Sequence, residues 1–402
     1  MIFFLNILIL GGISWKLGRQ FFQTFGVFAL WGLLAKVLGA ACVGWLYFYY
    51  NKEGDTVALW SQIEAFNKAN ATSISKYLSA LFGNIDPFQG NPRSIFFVRL
   101  MSPIGLLSQH SYLLLSGYLC LFSYWTSWTF LAVFDRYYPQ ALLLAMVTFC
   151  FLPTYLFWTS GLLKDTLING ALFYLTSSLL TCYHSKKLSL TQWLCSILLF
   201  GCLFMTRHYL AGLWTIVATI ILIDKWMMKT SRPYRMMLYA LFLAIGAYSM
   251  RFFFIRLRPE RFPITFHELQ EQYKSRVLAG SNIKFDLEPT WWSLLSNLPK
   301  SLWTGLFRPG LWEVKNVFQV LEAAQTSILL VCFILSAYLF RKLKAYPIIV
   351  WHTLLFIVVL ATLLPLAAPN FGSLSRYRVA FTPFLAFLIM YLPYRRFVRK
   401  DF

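Results

Sequence analysis

Acid is scarce in this chain: 15 Asp and Glu stand against 36 Lys and Arg in 402 residues, and there are only 5 His. A charged share of 13% beside 58% hydrophobic and 19% aromatic residues excludes an ordinary soluble domain. The seven cysteines (Cys42, Cys120, Cys150, Cys182, Cys195, Cys202 and Cys332) lie in or beside apolar runs with no CxxC or Cys/His metal spacing, so they read as small core residues. His267-Glu268 has no second His at the HExxH spacing, and no Walker loop, Rossmann glycine fingerprint or GxSxG elbow occurs. Zinc hydrolysis, nucleotide-driven transport and serine hydrolysis lose their usual signatures. No ligand motif names a cofactor, and a divalent metal stays open without one.

What the chain does have is apolar length. Repeated runs of about 17–25 residues suit helices crossing a ~30 Å hydrocarbon core. The expected spans are 26–49, 110–134, 139–160, 166–183, 190–206, 209–225, 235–255, 323–340, 346–367 and 379–394. The fold class expected is therefore all-α, a polytopic helical membrane protein of about ten transmembrane helices in one integral-membrane domain over residues 1–402. Residues 1–15 have the hydropathy of a signal peptide but no basic start or A-x-A site, which suits an interfacial or short re-entrant segment. Lys36 falls inside the first span, where a near-end position would let it reach water.

The formal charge of +21 is spread between apolar runs and forms no continuous basic face, so anionic lipid and phosphate-bearing ligands are the expected partners and nucleic acid is not. Lys16, Arg19, Arg136, Lys186, Lys187, Lys225, Lys229, Arg341, Lys342, Arg395 and Arg396 fall in connections on one side of the expected bundle. The positive-inside rule makes that side the cytoplasm, with both termini on it, in a bacterial inner membrane. The opposite side receives the long segments 50–109 and 256–322, the tight turns near 161–165, 206–209 and 368–378, and most of the acids.

Candidate chemistry gathers on that outer side. Glu53 and Asp55 follow the first span directly, and Val57, Trp60, Ile63 and Phe66 then mark one face of a short amphipathic helix expected along the membrane surface. Asp55 also reads as the N-cap of that helix. Ser94 to Pro103 is a second interfacial stretch. The outer turns carry Lys164 with Asp165, Arg207 with His208, and Arg376 with Arg378, basic residues kept against the topological bias. Arg and Lys there suit phosphate oxygens, although headgroup snorkelling and interface anchoring explain such residues as well. Segment 256–322 ends in Arg308, Pro309, Trp312 and Glu313, which reads as a lid or lipid-facing wall or as a grip on a lipid-linked substrate.

The run Gly54-Asp55-Thr56, the amphipathic stretch after it and the basic outer turns resemble the GT-C class of integral-membrane glycosyltransferases. The resemblance implies a general base at the first-loop acid, here Asp55 or Glu53, and an inverting attack of an acceptor hydroxyl on a polyprenyl-phosphate-linked sugar. Lys164, Arg207, Arg376 and Arg378 would then steady the departing phosphate, with Asp165, His208, Arg308 and Glu313 completing the substrate site. The acceptor is a saccharide, lipid or protein. The chain departs from the commonest family pattern, since no Asp-Glu pair follows the first span and its two acids stand two apart. An O-antigen-type polymerase or ligase and a flippase of lipid-linked saccharide are the competing readings, the latter expected to show repeats and broken helices.

Overall fold

The computed structural model describes residues 2–50, 52, 54–83, 91–184, 187–226, 233–234, 236–241, 244, 261–275, 283–315, 317–340, 348–368 and 370–397. Every extended element among them is helical. Four stretches, Val27–Tyr50, Leu190–Lys225, Gln319–Leu339 and Ile349–Leu366, are long and apolar enough to cross a bilayer, and a fifth arises if Phe371–Arg378 and Thr382–Arg396, bent by 72°, count as one span. Ten spans were expected, and part of the difference has local causes. The 139–160 run is broken by Pro139 and Pro153 into short helices, and most of 235–255 lies outside the described residues. The chain divides into two compact units, Met1–Ala211 and Gly212–Phe402, each described by itself.

The first unit contains α1 (Ile2–Phe25), α2 (Val27–Trp45), α3 (Asp55–Asn70), α4 (Ile74–Phe82), α5 (Pro92–Leu107), α6 (Tyr112–Tyr137), α7 (Leu142–Cys150), α8 (Pro153–Trp158), α9 (Lys164–Tyr183) and the first part of α10 (Leu190–Trp226). Residues 1–15, expected as an interfacial segment, belong to the 24-residue α1. At about 1.5 Å per residue this helix is roughly 36 Å long. It runs along α6: Asn6 Nδ2 donates to the Leu107 carbonyl at 2.7 Å, the Tyr118 hydroxyl donates to Asn6 Oδ1 at 2.6 Å, and farther down Phe25 meets Trp128 with ring centres 5.1 Å apart. Helix α2 runs back the other way, because the Tyr124 hydroxyl donates to the Ala29 carbonyl at 3.1 Å while a Cβ on Gly44 would lie 3.0 Å from Tyr112. The beginning of α1, the end of α2 and Asp55 therefore share one end of this unit.

Helices α6 and α9 form the buried centre, and Phe130, Phe149, Phe173 and Tyr155 stack there in a continuous aromatic series. Of the stripe expected in α3, Ile63 and Phe66 are buried while Val57 and Trp60 are half-buried, and Leu59 joins the buried face that packs against α5. The polar residues of that face explain the packing. Asn67 donates to the Ser102 carbonyl at 3.1 Å, accepts from the Ser102 hydroxyl and lies 3.0 Å from His110 Nε2, partners that a lipid surface would not supply. Gly105 permits the approach, since a Cβ there would sit 2.7 Å from Ile63 Cγ2.

The second unit, besides the end of α10, comprises α11 (Phe262–Ser275), α12 (Trp291–Phe307), α13 (Val317–Phe340), α14 (Ile348–Leu366), α15 (Phe371–Arg378) and α16 (Thr382–Phe397). Its main contacts are α12 on α14 and α13 on α16. A Cβ on Gly305 would lie 2.0 Å from the Ala361 carbonyl oxygen, so α12 and α14 touch backbone to backbone. Residues 370–378, expected in a tight turn, are mostly the short helix α15, capped by Asn370, whose side chain accepts from the Ser373 N–H at 2.8 Å.

Candidate active site

Two structural details place Asp55. Gly54 has φ 130°, and a Cβ on it would lie 2.4 Å from the Tyr47 ring, so the turn from α2 into α3 requires glycine. Gly54 is also the N-cap, which makes Asp55 the first helical residue and not the cap expected from the sequence. Its carboxylate sits in the first turn, where the helix dipole favours negative charge. Glu53 lies outside the described residues.

The next residue ties this corner to another. The buried Thr56 hydroxyl donates to the Leu162 carbonyl at 2.8 Å, and Leu162 precedes Lys164 and Asp165 at the start of α9. Lys164 Nζ in turn donates to Ser94 Oγ in the first turn of α5 at 3.1 Å. The starts of α3, α5 and α9 thus converge, bringing Asp55, Ser94 and Lys164 to one corner of the unit.

Arg207 enters the same corner. Residues 206–209 were expected as a turn between two spans, and the helical stretch 190–226 is indeed interrupted there by a kink, where Arg207 leaves the helical region with φ −142° and ψ 74°. The side chain explains the break. Arg207, 8% exposed, forms an ion pair with Asp165, 3% exposed, and donates to the Tyr209 hydroxyl at 2.9 Å. Half-buried His208 follows, within the field of Arg93.

Arg93 was not singled out in the sequence, although Asn91-Pro92 is a helix-start signal and Asn91 Oδ1 accepts from the Arg93 N–H at 3.1 Å. An arginine in the first turn of a helix opposes the macrodipole. Among the described residues its guanidinium has no ion pair or hydrogen bond. Thr56, Ser94 and Tyr209 were likewise missed, because hydroxyl residues are common in this chain and only contact distinguishes them.

Arg308, Glu313, Arg376 and Arg378 belong to the second unit. Arg308 Nε donates to the two Glu313 carboxylate oxygens at 2.9 and 3.1 Å, Glu313 also accepts from the Gly310 N–H at 2.9 Å, and the guanidinium lies 5.1 Å from the Phe371 ring centre. Burial opposes ionisation of Glu313, but the bonds from Arg308 and Gly310 and the Arg308 charge outweigh it and hold the carboxyl below its usual range. Arg378, 3% exposed, donates to the Arg308 carbonyl at 2.5 Å and pairs with Glu322, which is 4% exposed. These bonds close a ladder in which each of these two arginines has its own carboxylate, an arrangement that fixes the 308–313 turn. Arg376 is half-buried with its guanidinium 5.4 Å from the Tyr377 ring centre.

Among the described residues no three His, Cys, Asp or Glu side chains gather as a metal-ligand set. Comparison with protein-family models, with characterised proteins and with solved structures yields no match.

Proposed function

We propose that the chain is a membrane glycosyltransferase of the GT-C type, moving a sugar from a polyprenyl-phosphate donor to an acceptor hydroxyl at the extracytoplasmic face. The observation that supports this reading is the Thr56–Leu162 hydrogen bond, which ties the residue after Asp55 to the turn that precedes Lys164. In this reading Asp55 takes the acceptor proton as the acceptor oxygen bonds to the anomeric carbon. The bond from that carbon to the phosphate oxygen breaks, and polyprenyl phosphate leaves with the bonding pair. Lys164 and Arg93 face the charge that grows on the phosphate, since the charge of Arg207 is met by Asp165. The hydrophobic surroundings suit a lipid-linked donor, and the four apolar helices suit a membrane location.

The test supplies purified protein with a polyprenyl-phosphate sugar and a panel of acceptors, comparing wild type with Asp55→Asn. Loss of a positioned general base lowers turnover by about 10²–10⁴-fold. Transfer at the wild-type rate in Asp55→Asn removes Asp55 from this role, and transfer only from a polyprenyl-pyrophosphate saccharide supplied in parallel, with release of polyprenyl pyrophosphate, points to a polymerase or ligase. A second reading, a flippase of lipid-linked saccharide, draws support from the interruption of α10 at a buried charged pair, a feature of transporter helices. Relocation of the lipid-linked sugar without transfer would decide for it.

A further inference from the structure

One stripe of α2 contacts the turn that carries the site. Lys36, Gly39 and Val43 stand at i, i+3 and i+7 on one helix face. Lys36 Nζ donates to Thr159 Oγ1 at 2.5 Å and to the Thr159 carbonyl at 3.0 Å. A Cβ on Gly39 would lie 2.8 Å from Ser160 Oγ, and a Cβ on Gly161 would lie 2.7 Å from Val43 Cγ1. Thr56 then takes the Leu162 carbonyl. Residues 159, 160, 161 and 162 are thus each held, in order, by α2 or the start of α3, and the next described residues are Leu163, Lys164 and Asp165.

Lys36 is the unusual member of this stripe. It is 2% exposed, so it does not reach water as a near-end lysine would. Its third hydrogen bond goes to Ser123 Oγ at 2.8 Å, and the Tyr155 ring centre is 4.5 Å away. Three acceptors match the three N–H bonds of an ammonium, yet all are neutral, and no carboxylate among the described residues pairs with it. An apolar side chain would fill the space at less desolvation cost. The ammonium does have a place, because Thr159 closes α8, and a cation is favoured at helix carbonyl ends.

We propose that Lys36 is a positioning residue: its ammonium holds the end of α8 and thereby sets Lys164 and Asp165 against Asp55. Its consequence for phosphate binding rests on the glycosyltransferase reading, whereas its consequence for the turn does not. Lys36→Met keeps the length and loses the charge and donors; Lys36→Gln keeps donors and loses the charge. Each is tested in detergent by thermal unfolding, by hydrogen exchange of the 159–163 amides with α6 as internal control, and by equilibrium binding of a polyprenyl phosphate. The expected result is folded protein with α6 exchange unchanged, exchange across 159–163 at least tenfold faster, and affinity at least tenfold weaker. Unchanged exchange in the turn of a folded variant overturns the proposal, as does equal acceleration in α6 or failure of both variants to fold, which would make Lys36 a general core tie. If wild type binds no polyprenyl phosphate, the glycosyltransferase reading falls and exchange alone judges Lys36.

Discussion

At the scale of residues, the first unit buries charge as a compensated pair. Asp165 and Arg207 compensate each other in a buried pair, so removing one partner leaves an uncompensated buried charge. Asp165→Asn is expected to cost about 3–5 kcal/mol in unfolding free energy, measured by denaturant titration in detergent. Asp165→Leu with Arg207→Met should recover most of that loss, and a double variant as unstable as the single would mean that the pair is not the cause. Glu313 shows the second unit's version at a more accessible site. Its folded-state carboxyl lies below the usual value of 4.5. A depressed carboxyl stabilises the fold above that value and loses its contribution as pH falls through the folded-state value. Protection of the 310–315 amides, relative to their intrinsic exchange rates at each pH, should therefore fall below about pH 4.5, and Glu313→Gln should be poorly protected already at neutral pH.

At the scale of elements, close approach decides which helices tolerate change. Gly305→Ala would set a methyl 2.0 Å from the Ala361 carbonyl oxygen, a backbone atom that no side-chain rotation can move. Overpacking of this kind costs about 1–3 kcal/mol. Gly201 in α10 has nothing within 4 Å of its Cβ position, so Gly201→Ala should be neutral or stabilising by up to about 1 kcal/mol. Similar melting temperatures for the two variants would contradict the contact geometry. These contacts also mark what could be read from the sequence. The helical class was legible from apolar period, and helices near 55 and 165 were expected within a residue or two of where α3 and α9 begin. The inward burial of α3 was not, because Asn67 declares itself as core only once Ser102 and His110 meet it. Nor was the partner of Arg207, since its break between 206 and 209 reads as turn chemistry until Asp165 is seen beside it.

At the scale of the whole molecule, the course of α1 bears on topology. Lys16 and Arg19 were expected to mark a cytoplasmic N-terminal segment, with the chain entering the membrane only afterwards. Instead α1 runs antiparallel to α2 along α6, so its exposed Lys16 and Arg19 lie toward the far end of the unit and its first residues lie with Asp55. By the positive-inside rule the basic half of α1 would mark the cytoplasmic end of the unit, and the apolar beginning of α1 would then lie at the opposite end with Asp55. Single-cysteine reporters at Phe4, Lys52 and Arg19, labelled with an impermeant maleimide in oriented vesicles, separate the two arrangements. Phe4→Cys and Lys52→Cys should label from one side and Arg19→Cys from the other. Labelling of positions 4 and 52 from opposite sides would break the antiparallel α1–α2 pair, and with it the account of how the start of α1 and the acid of α3 come to one end of the unit.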